Sequence, residues 1–425
     1  MELSRRDLML AGLALLPAGA SARIASAQAP PLAFDVEVPV DHDRPALGRF
    51  ALPCEWGAPR QAGRPTVVAI ADAQQYYVRP GGAARLQREL FGDGLNVLTI
   101  VGRSRAPGLA PRIAPGGTPD WDSAVRLLNW RQWARDVEAV IRRLALRPGE
   151  LCLYGRSGGA HLIHQLLTLR PDLNARAYVQ AAVNHELDMR WGVSPDPFWA
   201  EFSAAEPAAA RALAAFAASH AERRRDLVLV LQRQHFFVPL DELPAARLAA
   251  ARAFLDGDEA RIGELRSRYQ VDLLERNRDS AEGVGSAVRV HEFAAPHADP
   301  RRRSDRLDPD VEALFHYSRP LSDAAAPPHP SVPTADWSRL REQRSEVLQV
   351  AGRHDQTCDY RTQIGLSGLT RNSRLLLLDD DHVFKRWTES GSQPALLQAF
   401  FRHGGDSPQF RRALAAMAAL RWREA

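Results

Sequence analysis

Short apolar runs of strand length alternate with longer helical patterns along the first half of the chain. The runs are continuously apolar, which is typical of strands buried on both faces of a parallel sheet. They lie at 66–71, 96–101, 151–154 and 177–183. Between them, segment 130–146 repeats apolar residues at helical spacing and stops before the Pro-Gly at 148–149. This alternation predicts a mostly parallel α/β sheet.

The pattern becomes helical from about residue 187 to residue 335. Alanine-rich helical segments fill this stretch, and two apolar runs at 226–231 and 288–293 interrupt them. A proline-rich segment at 320–333 closes it. The composition predicts a helical insertion that is bounded by a linker.

Strand-like runs return after the insertion, at 346–351 and 373–378. The predicted fold class is therefore α/β, with a mostly parallel sheet and an inserted helical domain. We place the core at 32–186 and 336–425, and we expect segment 187–335 to form a cap over one edge of the sheet.

The first 27 residues have the features of an export signal. A twin arginine lies in Ser-Arg-Arg-Asp-Leu at 4–8, an apolar stretch follows at 8–16, and Ala-Ser-Ala at 25–27 fits a cleavage site. The apolar stretch is too short to span a bilayer, although an uncleaved tether is an alternative. We predict a twin-arginine signal at 1–27 and a periplasmic or secreted protein without stable membrane insertion. The twin-arginine translocase is the expected partner during export.

Composition narrows the classes of function. Of 425 residues, 45% are hydrophobic, and 55 basic against 51 acidic side chains leave a net charge of +4. Such balance argues against a nucleic-acid surface. Cys54, Cys152 and Cys358 are too few for a disulfide framework, although an exported protein permits a Cys54–Cys358 bridge. No zinc-site spacing is present, and we predict no metal and no cofactor.

The sequence Gly-Arg-Ser-Gly-Gly at 155–159 lies between a strand-like run and a helical pattern. Glycines on both sides permit a sharp turn that lifts the Ser157 hydroxyl out of the sheet. A serine at such a turn is a candidate nucleophile, and the alternative is a turn residue in an inactive scaffold. A serine needs a base within hydrogen-bond reach and an acid that orients the base.

Two later strand ends supply these partners. Asp355 follows the run 346–351, and His382 follows the run 373–378. The 27 residues that separate them accommodate one helix and one strand. Because the carboxyl ends of parallel strands lie at one edge of a sheet, we expect Ser157, His382 and Asp355 to meet there.

Other ionisable residues compete for these roles. Glu186 and Asp188 follow the run 177–183 and are alternative acids. His354 is a weaker candidate base because it precedes the acid in the chain. We expect the carboxylates at 379–381 to be solvated loop charges whose proximity favours the protonated form of His382.

These motifs carry a family resemblance. Gly-Arg-Ser-Gly-Gly at 155–159, Gly-Arg-His-Asp at 352–355 and Asp-His-Val-Phe at 381–384 resemble the α/β-hydrolase family in order and setting. The Val-Pro-Val-Asp-His opening at 38–42, the large insertion and the export signal are similar to the exported prolyl and tripeptidyl aminopeptidase-like branch. The resemblance implies Ser157 as nucleophile, His382 as base and Asp355 as acid.

The expected oxyanion hole departs from the family's glycine-rich pattern. Ala-Asp-Ala-Gln-Gln-Tyr-Tyr follows the predicted strand at 71–77. Backbone amides form such holes, so a donor survives the change. We place one donor at Gly158 and the other near Ala73, with Asp72 and Gln74 as alternatives.

Residues in the insertion are candidates for substrate binding. The resemblance suggests that Glu292 holds a substrate's free amine, and a structural salt bridge is the alternative. Aromatic residues are expected either to line an apolar pocket or simply to pack; they are Trp191, Phe198, Trp199, Phe236 and Phe237. His161 and His164 lie three apart on the helix after the serine, and packing is a simpler interpretation than a metal pair.

The predicted function is a serine hydrolase that cleaves an ester or amide bond in a small molecule or short peptide, with an exported aminopeptidase as one version. A small-molecule carboxylesterase or lactonase is the alternative enzyme. A non-catalytic binding protein on the same scaffold is the alternative from another class.

Overall fold

A single sheet carries the fold in the computed structural model, which describes residues 32–71, 78–193, 197–272, 281–323 and 325–422. Within these residues the sheet has eight strands in the order β1-β2-β4-β3-β5-β6-β7-β8. The strands are Ala33–Pro39 (β1), Arg49–Trp56 (β2), Thr66–Ala69 (β3), Asn96–Ile100 (β4), Leu151–Arg156 (β5), Arg176–Gln180 (β6), Glu346–Gly352 (β7) and Ser373–Leu378 (β8). The predicted leader at 1–27 lies outside the described residues and stays a prediction.

The central strands are parallel and buried on both faces. β3 to β8 pair in parallel, whereas β2 runs antiparallel to both of its neighbours. All four residues of β3 and all five of β4 are buried, which explains why their sequences are mostly apolar rather than alternating. These features confirm the predicted α/β class with a mostly parallel sheet.

Helices cover both the sheet and the region between β6 and β7. They are Ala83–Leu86 (α1), Ala110–Ile113 (α2), Trp121–Leu128 (α3), Trp130–Leu144 (α4), Gly158–Leu169 (α5), His185–Trp191 (α6), Pro197–Ala205 (α7), Pro207–Ser219 (α8), Ala221–Phe237 (α9), Leu243–Leu255 (α10), Glu259–Arg268 (α11), Ala281–Ala294 (α12), Pro309–Tyr317 (α13), Tyr360–Leu369 (α14), Lys385–Ser390 (α15), Gln393–His403 (α16) and Pro408–Ala415 (α17). The turn Gln87–Phe91 is π-helical.

The inserted helices form a hydrophobic cluster of their own. Leu213 of α8, Val230 of α9 and Phe254 of α10 belong to this second cluster, which the main core does not share. The apolar runs that interrupt the helical pattern of the sequence lie inside α9 and α12 instead. The helix α9 lies at the centre of the cap and is buried on most sides, and half of its ten buried residues are polar or charged.

One inserted helix belongs to the core rather than to the cap cluster. Val284 and Val288 of α12 pack in the main hydrophobic core. Between them, α12 approaches Ser104 so closely that a Cβ on Gly285 would collide with the Ser104 side chain. The helical insertion is therefore packed against the α/β core through α12. The predicted boundaries of the core at 32–186 and 336–425 and of the insertion at 187–335 stay predictions.

The Val-Pro-Val-Asp-His opening surrounds a buried arginine. Arg103, in the turn after β4, donates to the carbonyls of Pro39 at 3.1 Å and Val40 at 2.9 Å. Its Nε lies 3.3 Å from Oδ2 of Asp136, whose Oδ1 lies 2.8 Å from Nε2 of His42. The motif therefore ties the first hairpin to β4 and α4, which is a structural role.

Among the described residues, the helices are either too short or too polar to cross a bilayer.

A buried ion pair inside the cap gives a test of the cap's contribution to stability. Both guanidinium contacts of Arg224 with Glu312 are short, at 2.9 and 2.7 Å, and both side chains are almost fully buried. Because Arg224→Met leaves the Glu312 carboxylate buried without its partner, we expect the free energy of unfolding to fall by about 3–5 kcal/mol. Urea denaturation measures this change.

Arg261→Met is the matched control because Arg261 pairs with Glu264 on the surface of α11. The exposed pair is worth less than about 1 kcal/mol. Equal losses in the two variants would show that burial of the Arg224–Glu312 pair has no bearing on its contribution.

Candidate active site

The sharp turn between β5 and α5 holds Ser157 in a rarely populated backbone conformation. Its φ is 51° and its ψ is −121°, which places it outside the regions that non-glycine residues usually adopt. The Ser157 amide donates to the Gln180 carbonyl at 2.8 Å, and its carbonyl accepts from His161 of α5 at 3.1 Å. The turn is therefore fixed on both sides by backbone hydrogen bonds.

Close backbone approach explains the glycines around Ser157. A Cβ on Gly155 would lie 2.6 Å from the carbonyl carbon and oxygen of Gly159. A Cβ on Gly159 would lie 2.7 Å from the carbonyl oxygen of Ile70, just after β3. The turn can fold this tightly only when both positions lack a side chain.

Asp355 lies in the turn that follows β7. Its Oδ1 accepts the amides of Thr357 at 2.9 Å and Cys358 at 2.8 Å. These donors fix the carboxylate and leave Oδ2 free to accept another hydrogen bond. Gly352 permits the turn because a Cβ there would lie 2.6 Å from the Asp380 carbonyl.

His382 lies between Ser157 and Asp355. Its Nδ1 is 2.9 Å from Oδ2 of Asp355, and its Nε2 is 3.2 Å from Oγ of Ser157. Because a carboxylate accepts hydrogen bonds, the Asp355 contact places the proton of a neutral imidazole on Nδ1. The unprotonated Nε2 is then positioned to accept the serine proton. The three residues therefore meet at the carboxyl edge of the sheet, as the sequence predicts.

The buried position of His382 shifts its pKa in two opposing directions. Burial lowers the pKa, whereas the charge of Asp355 and its hydrogen bond raise it. A weaker attraction from Asp381 also raises it, and Arg156 lowers it. The net effect raises the pKa above its ordinary value of 6.5. The carboxylates therefore keep this imidazole more basic than a free histidine.

The loop before His382 is held by buried carboxylates. Asp380 accepts the amides of Asp381 at 2.9 Å and Trp387 at 2.8 Å. Asp381 accepts the amides of the two residues after His382, each at 2.9 Å. The expectation of solvated loop charge holds for Asp379, which is exposed, and is wrong for Asp380 and Asp381, which are 1% exposed.

The competing acids and base lie elsewhere. Glu186 accepts the indole N–H of Trp337 at 2.9 Å, and Asp188 accepts the Thr362 hydroxyl. His354 faces Asp379 on the surface, with Nε2 3.0 Å from Oδ1. In the described contacts, the imidazole of His382 pairs with Asp355 and not with these residues.

Only half of the predicted oxyanion hole lies in the described residues. Gly158 is the first residue of α5, so its amide is among those that have no partner inside the helix. The positive end of the helix dipole adds to the attraction for an anion there. Ala73 and its alternatives, Asp72 and Gln74, lie outside the described residues, so the second donor stays a prediction.

The carboxylate of Glu292 already has partners. It accepts the Trp130 amide at 2.7 Å and forms an ion pair with Arg289, and both side chains of the pair are at most 3% exposed. These contacts agree with the structural salt bridge that the sequence leaves as an alternative. A role in binding a substrate amine stays a prediction.

Three of the other candidate side chains have packing roles and Trp191 is 37% exposed, whereas one aromatic residue is an exception because it contacts the site. His161 packs against Phe293 and Trp337, and His164 is fully buried. Phe198 stacks on a neighbouring ring of α7 within the cap cluster. The exception is Phe236, whose ring meets the His382 imidazole edge-on at a centroid distance of 5.5 Å.

One group of described side chains has the spacing of a metal site, namely Asp355, Cys358 and His382. Asp355 and His382 already bind each other through these atoms, and burial raises the pKa of the Cys358 thiol well above its ordinary value. A protonated thiol is a poor metal ligand. Cys358 and Cys54 are both buried free thiols, so the permitted bridge is not formed.

Sequence reasoning missed several cap residues that contact the acid loop. His235 of α9, Arg247 of α10 and Asp310 of α13 are all buried beside residues 355–357. Burial raises the pKa of Asp310 to about 6, although the Thr357 hydroxyl and Arg247 oppose the shift. No local motif marks these residues, because only the packing of the cap brings them to the loop.

Comparisons with known proteins give fold neighbours at low identity. No family model matches the chain, and no curated protein matches it. Solved structures similar to it include the proline iminopeptidase of Mycobacterium smegmatis, at 14% identity and a TM-score of 0.43. The alignment covers 90% of this chain and 100% of that one. An esterase from a Rhodococcus species is 15% identical with a TM-score of 0.41, over 87% of this chain and 99% of that one.

A third similar structure is an α/β-hydrolase enzyme from a Medee basin deep-sea metagenome library. It is 11% identical with a TM-score of 0.43, over 83% of this chain and 94% of that one. All three TM-scores lie below 0.5, so these likenesses carry no inference about the fold or the chemistry of this chain.

The pKa of His382 can be measured directly. We expect an NMR titration of the labelled imidazole to give a pKa above 6.5, because Asp355 and Asp381 attract its proton. Asp381→Asn removes one of these charges and keeps an oxygen acceptor, so the pKa should fall.

Asp379→Asn is the matched control because Asp379 is exposed on the same loop. A titration midpoint that is the same in the parental protein and in Asp381→Asn would contradict the electrostatic explanation.

Proposed function

We propose that this protein is a serine hydrolase that cleaves an ester or amide bond through an acyl-enzyme intermediate. One observation carries the proposal. Oγ of Ser157, the imidazole of His382 and the carboxylate of Asp355 form a continuous hydrogen-bonded chain with distances of 3.2 and 2.9 Å. A serine on a strained turn, a base and an orienting acid are the three parts that nucleophilic acyl transfer requires.

Each step follows from this arrangement. Nε2 of His382 takes the hydroxyl proton of Ser157 as Oγ attacks the substrate's carbonyl carbon. The carbonyl oxygen becomes an oxyanion that faces the Gly158 amide and the second donor, which we place near Ala73. Asp355 holds the Nδ1 proton throughout and stabilises the imidazolium.

The second half of the reaction uses the same groups. The imidazolium gives its proton to the leaving alcohol or amine, and an acyl group stays on Oγ. His382 then takes a proton from water as the water oxygen attacks the acyl carbon. The imidazolium returns this proton to Oγ of Ser157 as the bond between Oγ and the acyl carbon breaks and the acid leaves. The raised pKa of His382 favours the proton transfer from Ser157, because a more basic imidazole accepts a proton more readily.

Ser157→Ala tests the proposal. We expect this variant to lose reaction with a fluorophosphonate probe and to lose turnover by about 10⁴-fold or more, because the nucleophile is absent. Peptide mapping of the parental protein should locate the probe on Ser157. The matched control is Ser367→Ala, on α14, which should react like the parent. A parental protein that does not react would support a non-catalytic binding protein instead.

Contacts in the helical insertion bear on the class of substrate. An aminopeptidase needs an available carboxylate for the substrate's free amine, and Glu292 is already neutralised by Arg289 and the Trp130 amide. We therefore propose esters without a free amine as the preferred class. One observation favours the aminopeptidase as a second candidate. Asp310 is a second buried carboxyl, and the charges of Asp355 and His382 both shift its pKa.

A substrate panel separates the two classes. We expect short-chain aryl esters to be hydrolysed and aminoacyl anilides to be left intact, in assays of kcat/KM at constant pH. Anilide cleavage that Asp310→Asn or Glu292→Gln abolishes, with ester hydrolysis retained, would establish the aminopeptidase instead.

A further inference from the structure

The last turn of α9 lies between the two loops that carry Asp355 and His382. His235, Phe236 and Val238 each contact one of these loops. The cap therefore packs directly against the parts of the core that hold the acid and the base.

The acid loop contacts this turn through a neutral histidine. Nε2 of His235 accepts the Gln356 amide at 3.4 Å and lies 4.0 Å from Oδ1 of Asp355. Burial, followed by the charge of Arg247, lowers the pKa of His235 well below its ordinary value. His235 and Asp355 are therefore not an ion pair, and the imidazole acts as a hydrogen-bond acceptor for the loop.

The base loop contacts the same turn through a ring and an ammonium group. Phe236 lies edge-on to the imidazole of His382, with an angle of 87° between the rings. Nζ of Lys385 donates to the carbonyl of Val238 at 2.5 Å. The same Nζ lies 3.5 Å from Oδ2 of Asp381.

Lys385 therefore bridges the cap and the loop that carries the base. Its carboxylate partner, Asp381, holds the amides of Val383 and Phe384 and thereby fixes the loop beside His382. Val238 caps the C-terminal end of α9, where a helix carries partial negative charge that attracts a cation.

We propose that Lys385 is a positioning residue for the hydrolytic reaction: it fixes the last turn of α9 to the loop of His382 and so holds the imidazole in line between Ser157 and Asp355. The inference rests on the proposed function, since it assigns a role in that same reaction. Lys385 reaches no reacting atom itself and acts through Asp381, Val238 and Phe236.

The identity of the residue supports this role. Lys385 is the only lysine in the chain, and the other 54 of its 55 lysine and arginine residues are arginine. An ammonium is a compact charge with three donors that rotate freely, whereas a guanidinium is a wide, planar fork. Nζ of Lys385 contacts two acceptors of different kinds, the Val238 carbonyl and the Asp381 carboxylate. The Lys385 side chain is partly buried.

The charge of Lys385 also balances other charges around the imidazole. The ionisable groups that face His382 from the surrounding elements are Asp355 and Cys358 of the acid loop, Arg156 of β5, His235 of α9, Asp310 of α13 and Asp381 of its own loop. If Lys385 loses its charge, the attraction of Asp381 for the imidazole proton is no longer opposed. The pKa of His382 should then rise further.

Lys385→Met tests the proposal because it keeps the length of the side chain and removes its charge and donors. Using the aryl ester that the parental protein hydrolyses best, we expect kcat to fall by about 10-fold to 100-fold, as a misplaced catalytic group predicts. KM should change by less than about threefold. The acid limb of the kcat/KM profile should move to higher pH, because the imidazole becomes more basic.

A conservative variant and a matched control test whether the effect of Lys385→Met comes from the lost charge. Lys385→Arg keeps the charge, so it should return the acid limb to the parental pH, but kcat should recover only in part because a wide, planar guanidinium does not meet both acceptors as the ammonium does. Arg386→Met is the matched control, because Arg386 is the next residue and pairs with exposed Asp379; it should match the parent. If Lys385→Met is not recovered as folded protein, Lys385→Gln removes the charge with a milder change.

The thermal unfolding midpoint of each variant separates positioning from stability. A lower midpoint with parental kcat and an unshifted acid limb would overturn the proposal and make Lys385 a structural residue only. Failure of the proposed function is a different outcome: the parental protein itself would then neither react with the fluorophosphonate probe nor hydrolyse any ester.

Discussion

The contact between Asp355 and His382 is the interaction on which the rest of the site depends. It joins the ends of two adjacent strands, β7 and β8, whose backbones the sheet fixes in parallel register. It lies in the interior, where an unpaired carboxylate would be costly. The fold supports this charge with two backbone amides on Oδ1 and the imidazole on Oδ2. The carboxylate is therefore held in one position before any substrate binds, and the imidazole has one orientation towards Ser157.

Buried carboxylates that accept backbone amides also hold the loop that carries His382. Asp380 and Asp381 are buried acids, and each one accepts backbone amides at the start of α15. A loop without regular structure would otherwise leave those amides without partners. Buried carboxylates therefore give the loop a fixed shape, and they also surround His382 with negative charge. The geometry and the basicity of the imidazole thus have a common origin in one set of residues.

Much of this arrangement follows from local sequence. Continuous apolar runs predict the buried strands, and the glycines around Ser157 predict a tight turn because backbone atoms lie within 3 Å of where a side chain would be. The order of Ser157, Asp355 and His382 places them at one edge of the sheet. The cap is different, because α9 is buried on most sides and its sequence carries no periodicity that shows which face meets the core. His235 and Asp310 have no local signal, since tertiary packing alone brings them to the acid loop. Lys385 is close to His382 in the sequence, but only packing brings it to the Val238 carbonyl.

The position of α9 changes what the cap does. A lid that only excluded solvent would have no need to contact the acid and base loops. Here one helical turn accepts the Gln356 amide with His235, presents Phe236 to the imidazole, and offers its last carbonyl to Lys385. Displacement of this turn would remove a contact from each loop at the same time. A cap that moved as a rigid body during turnover would therefore disturb the alignment of Ser157, His382 and Asp355, so substrate access is better explained by motion elsewhere in the insertion.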